Sequence, residues 1–244
     1  MANVVMHAVN TYLGNIKLLL LFSLSFVIAL LIPLFAAFPT YNDVGGTFVR
    51  LASLGSLSLA DTAVIVAATL FSLLFFSFAM VMINVVVKHT RTSTKIKSDV
   101  IRSLEKYTGK VFLALLLYTI IIVLAAMASY AVVPSLTGVV TSIIALIAFP
   151  FFLYAPSSIV IDEKRLVHAM QASANFFAKR LDYTLLWIVV VILLVSVFDL
   201  LFIAFGGTAA SRYALLVFNG LFILPFIVVL QSQMYMKKFP LLKR

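Results

Sequence analysis

Along this chain, apolar runs with no charge at all alternate with short polar segments. No Asp, Glu, Lys or Arg occurs between Lys17 and Asp43, between Asp61 and Lys88, or from Val111 to Ile161. The third run is too long for one crossing, and Pro134 and Gly138 mark a tight hairpin inside it. Gly206, Gly207 and Arg212 divide the last apolar region in the same way. About 20 residues at a rise of ~1.5 Å cross the ~30 Å hydrocarbon slab. The pattern therefore predicts six transmembrane helices, over about 18–38, 63–87, 111–132, 137–161, 184–205 and 214–235. The expected fold is all-α, a polytopic membrane helix bundle forming a single integral domain over residues 1–244.

Some of the polar segments carry a helical period of their own. Val100, Leu104, Tyr107 and Val111 follow a spacing of four, three and four, with Arg102, Lys106 and Lys110 as a basic stripe beside them. Further on, Leu166, Met170, Phe177 and Leu181 share a face. There Asp162 and Glu163 lead and Lys179 and Arg180 follow, the signs that the helix dipole favours. These two stretches predict amphipathic interfacial helices before spans 3 and 5. Val5, Val9, Tyr12 and Ile16 offer a similar stripe before span 1.

Composition agrees with lipid as the solvent. The chain is 64% hydrophobic and 11% charged, with a mean hydropathy of +1.19, whereas soluble domains have roughly 45–50% apolar and about 25% charged residues. The apolar stretch of span 1 exceeds the ~7–15 residues of a signal-peptide core, so an uncleaved first helix is expected. With no cysteine in the chain, disulfides and thiolate chemistry are excluded.

Charge distribution gives direction. Sixteen of the eighteen basic residues, with five acids, fall at one set of span ends, and two basic with three acidic residues at the other, consistent with a net charge of +10. The rich loops hold Lys88 to Lys110 and Lys164 to Arg180, and the tail holds Lys237, Lys238, Lys243 and Arg244. The positive-inside rule predicts a multi-pass cell-membrane protein with these segments and both termini in the cytoplasm. Such a face is also a candidate binding surface. Arg102, Lys106, Lys110, Lys179, Arg180, Lys237 and Lys238 would meet anionic membrane lipid, a membrane-protein partner or a second copy, each cation near an anionic leaflet contributing ~1 kcal/mol. Topology alone also accounts for the asymmetry.

Inside the spans, Asp199 is the one charged residue, about six residues or ~9 Å from the end of span 5. Asn219 lies at similar depth in span 6, and Arg212 between them is able to snorkel to either. Asp199, Arg212 and Asn219 form either a structural polar clamp or the site of a small transporter or channel. Asn84, Gln231 and Gln233 are expected to hydrogen-bond between helices. Pro33, Pro150, Pro156 and Pro225 would kink their helices. The distances from Lys106 to Pro150 and from Arg180 to Pro225 nearly match, which is compatible with repeated hairpins. No metal-ligand, nucleophile or phosphate-loop motif occurs, and His7, His89 and His168 are far apart. Asp162, Glu163 and His168 read as a capped helix start. No enzyme activity, cofactor, metal or nucleic-acid partner is expected. The reading is a non-enzymatic membrane scaffold or accessory subunit, with transport as the alternative.

Residues 158–195 add a likeness. Asp162-Glu163 after a span, Ala169-x-x-x-Ser173 on the amphipathic stretch and Lys179-Arg180 before the next span resemble a group of prokaryotic six-span proteins of unassigned function. That group is related to the membrane domain of some glycerophosphodiester phosphodiesterases. The resemblance implies a six-helix integral membrane domain and supplies no catalytic residues, so phosphodiester cleavage is not carried over. The mitochondrial-carrier signature is absent, since Leu34-Phe35 and Ser135-Leu136 follow Pro33 and Pro134.

Overall fold

The computed structural model describes residues 2–35, 40–43, 46–49, 58–92, 96–204 and 209–238. Helix α1 (Ala2–Gly14) leads into α2 (Ile16–Phe35), and a small hairpin of β1 (Thr40–Asp43) and β2 (Gly46–Val49) follows. The strands pair antiparallel, Thr40 opposite Val49 and Asp43 opposite Gly46. Next come α3 (Leu59–Thr92), α4 (Ile96–Val132), a tight turn at Pro134–Leu136, α5 (Thr137–Phe152), α6 (Ala155–Ile161) and α7 (Leu166–Lys179). The chain continues as α8 (Leu181–Ala204), α9 (Ala209–Phe218), a π turn (Asn219–Ile223), α10 (Leu224–Tyr235) and a last turn at Met236–Lys238.

Among the described residues, six helical stretches are long and apolar enough to cross a membrane: Ile16–Leu34, Leu59–Thr90, Ile101–Val132, Pro134–Ile161, Leu181–Phe202 and Ala210–Tyr235. The all-α polytopic bundle expected from the charge-free runs is therefore present, with a β-hairpin between spans 1 and 2. The amphipathic segment before span 3 is not a separate element. It forms the first turns of α4, a continuous helix of 37 residues, about 55 Å long at helical rise. With α3 of 34 residues it makes a hairpin longer than the ~30 Å hydrocarbon slab. The segment before span 5 is its own helix, α7.

Packing is concentrated at the end of the bundle that carries the basic loops. There α10 is the central post, buried on every side from Ile227 to Tyr235. Three consecutive polar residues leave it in three directions, because successive helical positions are turned by ~100°. Gln231 donates to the Leu153 carbonyl of span 4. Ser232 donates to Asn84 of α3 at 2.7 Å, with Ser157 of α6 at 3.4 Å. Gln233 donates to Thr11 of α1 at 3.0 Å. One level of the post is thus tied to α1, α3 and span 4, by bonds worth typically ~0.6 kcal/mol each in membrane bundles. The expected interhelical roles of Asn84, Gln231 and Gln233 are observed.

The prolines act locally. Span 4 breaks after Pro150, at Leu153 and Tyr154, and Pro156 opens α6 where an amide hydrogen is not needed. The hydroxyl of Ser173 from α7 enters the break: it donates to the Pro150 carbonyl at 2.7 Å and accepts the Tyr154 amide at 2.9 Å. In an uninterrupted helix those two backbone groups would bond each other. In span 6 the π turn comes directly before Pro225. Side chains take up a carbonyl inside the turn and one after the proline, Tyr12 donating to Phe222 and Trp187 to Ile227, each at 3.3 Å.

Helix α7 docks through a different stripe from the one its largest residues predict. Ala169, Ser173 and Phe176 are buried, while Leu181 is exposed and Met170 and Phe177 are only half-buried. Small residues win because the helix must come close enough for Ser173 to reach the backbone of span 4. The Ala-x-x-x-Ser element is therefore the contact face of α7. Tyr154, Phe176 and Tyr235 close the junction, with ring centroids 4.7, 5.3 and 6.0 Å apart.

Candidate functional site

A cavity of about 400 Å³ opens at the basic end, where α3, α4 and the turn after α6 meet. Its apolar floor is Val85, Tyr107 and Val160, the ends of three spans, and its walls carry Lys88, His89, Arg102, Ser103, Lys106 and Glu163. Helical spacing brings these groups together. Val85, Lys88 and His89 lie three and one positions apart on α3, whereas Arg102, Ser103, Lys106 and Tyr107 span just over one turn of α4.

Glu163 is the keystone of the wall. It has φ of 57°, the left-handed region that a side chain other than Gly or Asn seldom occupies. That turn aims its carboxylate at two lysines, Lys88 at 3.0 Å and Lys106 at 2.5 Å. Hydrogen bonds from Lys106 and then Lys88 hold the carboxyl well below the usual carboxylate range, at about 2. Lys88 also donates to the Val160 carbonyl at 3.3 Å. The neighbouring Asp162 caps the C-terminus of α6 and accepts the Tyr235 hydroxyl at 2.7 Å. The pair Asp162-Glu163 is thus not the cap of α7, whose first residue follows Arg165 without a side-chain cap. The ion partners of Glu163 lie 75 and 57 positions away in sequence, so no local pattern announces them.

Of the basic residues singled out in sequence, Arg102 and Lys106 line this cavity. Lys110 lies one turn beyond, its ammonium 5.9 Å from the ring of Tyr107, which Lys106 approaches at 5.0 Å. Lys179 ends α7 and is exposed. Arg180 caps that helix, lies 4.2 Å from the ring of Tyr183 and pairs with Asp182 at 3.4 Å. Lys237 follows α10 and is half-buried, and Lys238 is the last residue described. Lys95, Lys243 and Arg244 fall outside the described residues. Sequence reading places the cations on one face; it misses that Glu163 joins two of them across separate loops.

The intramembrane group is more dispersed. Asp199 lies half-buried on α8, in a span whose apolar window contains no buried residue. Asn219 is buried in the π turn of span 6, and Arg212 is exposed on α9. No ion pair joins Asp199 to Arg212 among the described residues. A second concavity, about 570 Å³ between the far halves of α3 and α4, is walled by residues such as Val66, Leu70, Ile120 and Val123 and by no charged group. Among the described residues no cluster of three or more His, Cys, Asp or Glu has the arrangement to hold a metal. The chemistry available at the basic end is electrostatic: two ammonium groups, a guanidinium, an imidazole and a hydroxyl over an apolar floor.

No family model, no curated protein and no solved structure matches this chain.

Proposed function

We propose that this integral membrane protein is a non-enzymatic scaffold or accessory subunit that holds its basic end at the cytoplasmic surface and engages anionic lipid headgroups there. The observation that carries this reading is the cavity of Lys88, Arg102 and Lys106 built on the apolar ends of three spans. Cations in that position sit where hydrocarbon gives way to headgroups. The positive-inside rule supports the cytoplasmic side for the basic loops and both termini, and that leaflet carries the anionic lipids, with ~1 kcal/mol per cation near its surface. The dense packing at the same end supports a rigid platform. Span 5, with no buried residue in its apolar window, leaves a helix surface for a membrane-protein partner or a second copy.

Extraction in mild detergent, with identification of co-purifying lipids and proteins, tests the reading. Anionic lipid should be enriched over zwitterionic lipid relative to the membrane of origin, and salt should strip it. Recovery of a bare monomer with no anionic preference would overturn the proposal.

A further inference from the structure

The cavity at the basic end has a charge balance that selects among anions. Its walls hold three permanent cations, Lys88, Arg102 and Lys106, against one carboxylate, Glu163. Glu163 engages both lysines with a single negative charge, so two positive charges are left over, and the guanidinium of Arg102 is the cation that no carboxylate of the cavity contacts. Arg102 is exposed and forms no ion pair among the described residues. Ser103 beside it adds a hydroxyl, and His89 adds an imidazole from α3. We infer that this cavity is a binding site for a phosphomonoester dianion, held by Arg102, Lys106 and Ser103, with Glu163 as a built-in competitor that turns away singly charged phosphodiesters.

The physical case has three parts. The surplus of two positive charges matches the −1.5 to −2 that a phosphomonoester carries near neutral pH. Arginine presents a planar fork of donors suited to phosphate oxygens, whereas lysine supplies a point charge, and the cavity offers both. A volume of about 400 Å³ falls at the small end of the ~300–1,000 Å³ found for small-molecule sites. Discrimination comes from Glu163. A ligand must draw Lys106 away from a carboxylate 2.5 Å distant; a dianion gains about twice the Coulomb attraction of a monoanion in doing so. The apolar floor of Val85, Tyr107 and Val160 would let the phosphate enter on a lipid, as in phosphatidic acid. Free phosphate has the same chemistry without the acyl chains.

This inference rests on the proposal that the basic end faces anionic lipid, and one experiment separates the two. The full chain is reconstituted in phosphatidylcholine nanodiscs containing phosphatidic acid or phosphatidylglycerol at equal mole fraction, and bound lipid is counted by native mass spectrometry. The expected result is at least tenfold preference for phosphatidic acid, lost in Arg102→Gln and kept in Lys17→Gln, an exposed cation at the start of span 1 that does not line the cavity. Glu163→Gln should narrow the preference by admitting phosphatidylglycerol. Inorganic phosphate and glycerol 3-phosphate, titrated in neutral detergent, identify a soluble source if they bind with the same dependence on Arg102. Equal retention of both anionic lipids, unchanged by Arg102→Gln, would overturn the phosphomonoester site while leaving a general anionic-lipid role standing. Retention of neither lipid, with no binding of soluble phosphate, would overturn both. Circular dichroism of each variant checks that the helices remain.

Discussion

Ser173 and Glu163 show single side chains replacing what the backbone alone does not provide. Pro150 and the break at Leu153–Tyr154 interrupt the ladder of span 4, and the Ser173 hydroxyl satisfies both backbone groups of the one lost bond. In Ser173→Ala, the Pro150 carbonyl and the Tyr154 amide lose their partner inside the bundle. The expected cost is ~1–3 kcal/mol, seen as a lower melting temperature in mild detergent; an unchanged melt would mean that the span closes its own ladder. Glu163 makes a prediction in pH. Its folded-state carboxyl is held at about 2, below the ordinary ~4.3 of a free Glu. The stabilisation from its two lysines is therefore complete above about pH 4.3 and fades as pH falls toward 2. The side chain is 46% exposed, so solvent screening keeps the effect at ~1 kcal/mol or less. Wild type should exceed Glu163→Gln in stability at neutral pH, with the gap closing across that acidic window. A gap independent of pH would refute the ion-pair origin.

Among the elements, span 6 is the one on which the others converge, and its π turn sets how near they come. At Gly220 a Cβ would stand 2.9 Å from Val27 Cγ2 and 3.3 Å from the Val27 backbone. Helix α2 approaches the turn this closely because no side chain is there. Gly220→Ala should cost ~1–3 kcal/mol through overpacking, and Val27→Ala in the same chain should restore only part, since the backbone contact remains. Complete rescue would show that the side chain alone sets the distance. Span 6 places Gln231, Ser232 and Gln233 against three neighbours, so its disturbance reaches α1, α3 and span 4 together. Span 5 behaves in the opposite way. Apart from ties such as Trp187 to Ile227, its apolar window has no buried residue, and substitutions on its outward face should leave the melt unchanged.

At the scale of the molecule, buried polar bonds and basic charge share one end. The interhelical ties from Asn84, Ser157, Ser173 and Gln233 lie toward the end that also carries the cavity. The chain contains no cysteine, which allows a direct test of how it threads. Single cysteines at Leu136, exposed in the turn between spans 3 and 4, and at Lys179, exposed at the end of α7, should react with a membrane-impermeant thiol reagent from opposite sides of sealed vesicles. Reaction of both from one side would overturn the six crossings.

Spans and the position of the cations were legible in the chain because they depend on local quantities: the length of a charge-free run, and the cost of taking a charge into hydrocarbon. Pro150 and Pro225 likewise marked where spans 4 and 6 depart from a regular α-helix, whereas Pro33 lies inside the continuous α2 and Pro156 opens α6. Three other features depended on distant parts of the sequence meeting in space. Asp162 and Glu163 looked like a helix cap, yet one meets Tyr235 and the other Lys88 and Lys106. The large apolar residues of α7 looked like its docking face, yet closeness to span 4 selected Ala169 and Ser173. Arg102 was one cation among many until α3 and the turn after α6 placed it on the wall of a cavity. Composition and periodicity determined an all-helical membrane protein with a basic face; only tertiary packing decided which of those charges share a cavity, because charge balance in a pocket depends on residues brought together across the fold.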